Sequence, residues 1–158
     1  MNRKVIYLLL ALALPGLIFT FLKFFGKNHF DIPLFYKDHA ELPKECALDV
    51  KGQYAIPDSV VKAFGGKAEM PILFIEPSEK GSREILEVQE KFPSLQIVSL
   101  EGLNQERLDS FKRCSFFLKA PWVALLVDKD RRIRGYYAFT NTEEIDRFHV
   151  EVEILVTQ

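Results

Sequence analysis

From Val5 to Phe25 the chain is apolar, interrupted only by Pro15, Gly16, Thr20 and Lys23. About 20 such residues cross the hydrocarbon core of a bilayer, and Lys23 stands near enough to the end to snorkel. Asn2-Arg3-Lys4 supplies a positive start and favours a cytoplasmic N-terminus, a bias that Lys23 and Lys27 weaken. Leu22-Lys23-Phe24-Phe25-Gly26-Lys27 follows where a cleavage site would need small residues. The run therefore reads as a retained anchor over residues 1–25: one transmembrane helix, with the rest of the chain on the outer side.

What remains of the 158 residues suffices for one domain. Residues 26–53 carry Pro33, Pro43, His29 and His39 without a sustained period and read as a juxtamembrane linker. Its aromatic stretch from Asn28 to Tyr36 predicts packing on the domain or at the membrane interface. The domain proper is expected over 54–158. A net charge of −1 provides no basic excess to neutralise phosphates, which argues against nucleic acid as a partner. The local run Lys129, Arg131, Arg132 and Arg134 alternates with Asp128 and Asp130 and reads as a solvated turn.

Within the domain, Asp58 is expected to cap a short helix containing Val60, Val61 and Phe64, stopped by Gly65-Gly66. Pro71-Ile72-Leu73-Phe74-Ile75 is a continuous apolar run and predicts a buried central strand. A helix follows over Ser82 to Phe92, then a strand over Leu95 to Leu100. Asn104 caps a helix expected to run to about Leu118. Trp122 to Val127 and Ile133 to Ala138 form two strands of a hairpin, and Thr142-Glu143-Glu144 opens a last helix. The order is β-α-β-α-β-β-α, an α/β domain. Strands joined through helices are expected to be parallel, the hairpin adding an antiparallel edge.

Cys46 and Cys114 match no zinc spacing and no C-x-x-C redox spacing. In an exported protein the pair reads first as a disulfide, worth about 4 kcal/mol by chain entropy. A redox pair, part of a displaced metal site, or two unpaired thiols are the alternatives. His29, His39 and His149 share no i, i+4 spacing, and Glu76, Glu79 and Glu84 read as a solvated helix start.

Val127-Asp128-Lys129 followed by Ile133-Arg134-Gly135-Tyr136-Tyr137 resembles the last hairpin of the SCO/SenC family of thioredoxin-like proteins. Thr142 to Arg147 resembles the helix after it, and Ile56-Pro57-Asp58 the start of the domain. The resemblance covers roughly Ile56 to Leu155. It implies a thioredoxin-like sheet flanked by helices, a cis peptide before Pro121 facing the active-site loop, and service to a cytochrome oxidase-type complex. A proline that merely begins a strand is the plainer reading of Pro121.

SCO/SenC proteins hold copper with C-x-x-x-C after the first central strand and a distant histidine. Here that place reads Glu76-Pro77-Ser78-Glu79-Lys80-Gly81-Ser82, a vestigial active-site loop without the thiolates that Cu(I) or dithiol exchange needs. The expectation is a noncatalytic assembly factor or accessory subunit without cofactor or metal. It would sit in a bacterial inner membrane with its domain in the periplasm, bound to a membrane protein complex. Trp122, Tyr136 and Tyr137 are its candidate docking surface. A thiol-disulfide oxidoreductase using Cys46 and Cys114, or a copper carrier with a relocated site, is the alternative.

Overall fold

A computed structural model describes residues 3–25, 32–38, 42–46, 50, 52–67 and 69–157. The chain divides into two units, Met1–Asp31 and Ile32–Gln158. The first contains helix α1, Arg3–Phe25, with Pro15 inside it. Among the described residues no helix is long and apolar enough to cross a membrane, and the side chains of Val5, Ile6, Leu8, Leu9, Leu10, Leu12, Leu22, Lys23, Phe24 and Phe25 lie outside those described.

The second unit is a mixed α/β layer structure. After a 3-10 turn at Lys44–Cys46, its elements are α2 (Asp58–Ala63), β1 (Ile72–Ile75), α3 (Ser82–Lys91), β2 (Gln96–Ser99), α4 (Gln105–Cys114), β3 (Ala124–Val127), β4 (Ile133–Tyr137) and α5 (Thr142–Thr157). The four strands form one sheet in the order β2-β1-β3-β4. β1 and β2 are parallel, whereas β3 is antiparallel to both β1 and β4.

The antiparallel β1–β3 pairing corrects the expectation of parallel strands across every helix. Lys112, in the last turn of α4, pairs at 2.9 Å with Glu76, just past the end of β1. α4 thus delivers the chain to the end of the sheet where β1 finishes, and β3 can only run back. The handedness rule for crossovers presupposes a helix that returns the chain to the opposite end.

Alternation along the strands divides the core between two faces. On one, Ile72, Phe74, Leu125, Val127 and Tyr136 pack with Val60 and Val61 of α2, Leu108 of α4, and Leu42, Tyr54 and Ile56. On the other, Leu73, Leu126 and Tyr137 meet Ile85 and Val88 of α3, Phe148 and Val152 of α5, and Ile32. Each fully buried apolar side chain contributes about 1.5–3 kcal/mol of transfer free energy. Part of the segment read as a linker belongs to this unit: Phe35 N–H donates to the Ile133 carbonyl and Tyr54 N–H to that of Tyr36.

Three local expectations also change. Pro57, not Asp58, precedes the first helical residue of α2, and Asp58 instead pairs with Lys62 at 2.6 Å. α4 ends at Cys114 because the chain turns there to bury Phe116, Phe117 and Leu118, with Phe117 at φ 50°. The charged turn after β3 is organised by a buried carboxylate rather than fully solvated. Asp128 is 4% exposed and accepts from Asp130 N–H, Arg132 N–H, Arg132 Nε and the Arg134 guanidinium. The β3–β4 register shifts there, and Arg134 also donates to the Ile32 carbonyl.

Candidate functional site

The Ala120–Pro121 peptide is cis. The next residue but one is held on both sides: Val123 N–H donates to the Tyr137 carbonyl, and its own carbonyl accepts from Glu76 N–H, each at 2.8 Å. The Pro121-Trp122 step is thereby fixed beside both the end of β4 and the start of the loop after β1. Trp122 stacks on Tyr136 with ring centres 5.0 Å apart and planes 28° apart, and is 38% exposed. Pro121 and Trp122 form one wall of a cleft of about 290 Å³. Ala138, Thr140, Asn141, Glu143, Glu144 and Arg147 complete it.

The far wall is the N-terminal turn of α5. Asn141 Oδ1 accepts from Glu144 N–H, a helix cap that answers one of the free amides of the first turn. The Glu144 carboxylate accepts from the amides of Ala138 and Thr140 and from the Thr140 hydroxyl. Burial disfavours its charged form, but these three donors and the charge of Arg147 outweigh that and hold its carboxyl below the ordinary range. Arg147 donates to the Tyr136 carbonyl at 3.1 Å, lies over the Tyr137 ring and stands 3.7 Å from Glu144. Glu143 is exposed and forms no ion pair among the described residues.

The loop after β1, Glu76 to Ser82, satisfies its two serines internally. Ser78 Oγ accepts from Lys80 N–H, and Ser82 Oγ donates to the Ser78 and Glu79 carbonyls. Glu76 is paired with Lys112, while Pro77, Glu79 and Lys80 face solvent. Gly81 has φ 73° and lies so close to the Phe139 ring that any side chain there would collide with it. Among the described residues no thiol and no base–nucleophile pair stands at the start of α3.

Cys46 and Cys114 are joined in a disulfide, with S–S 2.01 Å and Cα–Cα 5.3 Å. Both residues are half-buried. The bond ties the 3-10 turn to the end of α4, where Tyr54 O–H donates to the Ser115 carbonyl and Tyr136 O–H to that of Phe116. Burial pushes both phenols well above their ordinary pKa. While the sulfurs are bonded, neither can serve as a thiolate ligand or nucleophile. Among the described residues no group of His, Cys, Asp and Glu could hold a metal ion. His149 packs edge-on against Phe148, and His29 and His39 lie outside the described residues.

Of the aromatic surface expected from Trp122, Tyr136 and Tyr137, only Trp122 is exposed, which corrects the expectation for the two tyrosines. Tyr136 and Tyr137 are 4% and 0% exposed and, as neighbours on β4, belong to opposite core faces. Tyr137 O–H instead donates to Glu151, a buried carboxylate on α5; burial and that carboxylate keep the phenol protonated. Sequence reading missed Glu151 and the cleft residues Thr140, Asn141, Glu143 and Arg147. The one available signal was the T-N-T-E-E stretch that follows β4 and starts α5.

Comparison with known proteins finds no match to a family model, a curated protein or a solved structure.

Proposed function

We propose that this chain is a membrane-anchored, noncatalytic thioredoxin-like protein of the SCO/SenC type, an assembly factor or accessory subunit of a cytochrome c oxidase-type respiratory complex. Its place is a bacterial inner membrane, with the folded unit in the periplasm. The observation that carries the noncatalytic reading is the state of the loop after β1. Where copper or dithiol chemistry would require thiolates, Glu76 to Ser82 offers two serines hydrogen-bonded within the turn and a glutamate paired with Lys112. The β-α-β-α-β-β-α order and the Val127 to Tyr137 hairpin support the thioredoxin-like assignment.

The anchor reading rests on the apolar run of the sequence from Val5 to Phe25. Docking then falls to the surface around Pro121 and Trp122, which the fold holds in one position.

The test is a strain lacking this chain. Oxidase content, read from haem spectra and oxygen consumption of its membranes, is expected to fall. Normal content and activity would end the assembly reading. The partial exposure of Cys46 and Cys114 favours one second reading, thiol–disulfide exchange. It requires rapid reduction of the native protein by a dithiol and loss of function in folded Cys→Ser variants.

A further inference from the structure

The cleft beside Pro121 has a chemistry that its own residues do not consume. One face of the Trp122 indole lies on Tyr136, yet the side chain remains 38% exposed and lines the cleft. Two carboxylates and one guanidinium line the same space. Glu144 and Arg147 answer each other and the backbone around them. Asn141 and the Glu144 carboxylate already meet the positive end of α5. Glu143 is left as an exposed carboxylate without an ion pair among the described residues.

We propose that this cleft receives an arginine side chain from a partner protein, its guanidinium lying on Trp122 and paired with Glu143. An indole face attracts a cation through its ring quadrupole, and a planar guanidinium can stack on it while presenting a fork to a carboxylate. An ammonium could do only the first well. Thr140 and Asn141 add polar groups at the rim. Arg147 does not fill the role itself, because its guanidinium is held over Tyr137 and on the Tyr136 carbonyl. The inference rests on the docking reading and names the chemistry that the docking site selects.

Trp122 is the chain's single tryptophan, so intrinsic fluorescence reports this cleft directly. The full chain, kept in a mild non-ionic detergent, is titrated with a blocked Gly-Gly-Arg-Gly-Gly peptide and with its citrulline and lysine counterparts. The arginine peptide is expected to give a saturable change, with citrulline, isosteric but uncharged, on the order of five-fold weaker and lysine in between. Glu143→Gln is expected to abolish most of that discrimination with the circular dichroism spectrum unchanged. Equal responses to arginine and citrulline, no saturable response, or an unaltered Glu143→Gln variant would each overturn the proposal. Those outcomes leave the oxidase phenotype untouched, whereas a normal deletion strain would remove the docking reading with the cleft chemistry intact.

Discussion

The two faces of the sheet are closed by different means. The α3/α5 face is apolar packing around Phe148 and Val152, with one buried polar pair, Tyr137 and Glu151. The opposite face combines α2 and α4 with the described irregular stretches 35–38 and 52–56 and the 3-10 turn Lys44–Cys46, tied down by the Tyr54 phenol on the Ser115 carbonyl and by the Cys46–Cys114 disulfide. A regular helix satisfies its own backbone and needs only an apolar stripe to stay in place. An irregular segment must find partners for its backbone groups one at a time, and a covalent tie compensates for the entropy of holding it. The first face is therefore a matter of packing and the second partly of tethering.

If that contrast is right, the two faces fail differently. Phe148→Ala removes a fully buried ring from the packed face and is expected to cost about 4 kcal/mol. Urea unfolding should show that loss as one cooperative shift of the whole unit. A separate, partial transition would mean that α5 is not integral to the core. Replacing both Cys46 and Cys114 by serine is expected to cost less, about 3 kcal/mol, because measured losses commonly fall below the chain-entropy figure. Amide exchange should then quicken first at Tyr54 and Ile56, whose N–H groups bond to Tyr36 and Arg131, and last in β1 and β3. Uniform quickening would blur the contrast.

Glu144→Ala sharpens the comparison at the edge where the cleft meets the packed face. Losing three hydrogen bonds to an ionised carboxylate is expected to cost about 2 kcal/mol. The carboxyl has its pKa lowered on folding, so its contribution is complete above the ordinary value of 4.5 and is lost as pH falls through the folded one. The gap in Tm between wild type and variant should accordingly close on acidification. A gap that widens in acid would mean that the neutral form is the one stabilised.

The packed face was the more legible of the two in the sequence. Ile72 to Ile75 is too apolar for anything but a central strand, and Ile85, Val88, Phe148 and Val152 recur at helical spacing. The antiparallel entry of β3 was not legible, because it depends on where α4 ends in space rather than on any local pattern. The same is true of Asp128, whose burial follows from the β3–β4 bulge and the arrival of two arginines. At the site, the lack of cysteine from Glu76 to Ser82 and the proline at 121 could be read directly. Tyr136 and Tyr137 misled because adjacent strand residues were assigned to one surface. Glu143 was legible only as part of the T-N-T-E-E helix start, and Arg147 carried no signal until the fold placed both in one cleft with Trp122.

The most direct test of the central claim, docking without thiol chemistry, is rescue of the deletion strain by the Cys46→Ser/Cys114→Ser variant, with its folding verified. The account predicts that oxidase content falls in the deletion strain and returns with the variant at matched expression. A folded, membrane-bound double variant that fails to restore the oxidase would contradict it and assign the work to the sulfurs.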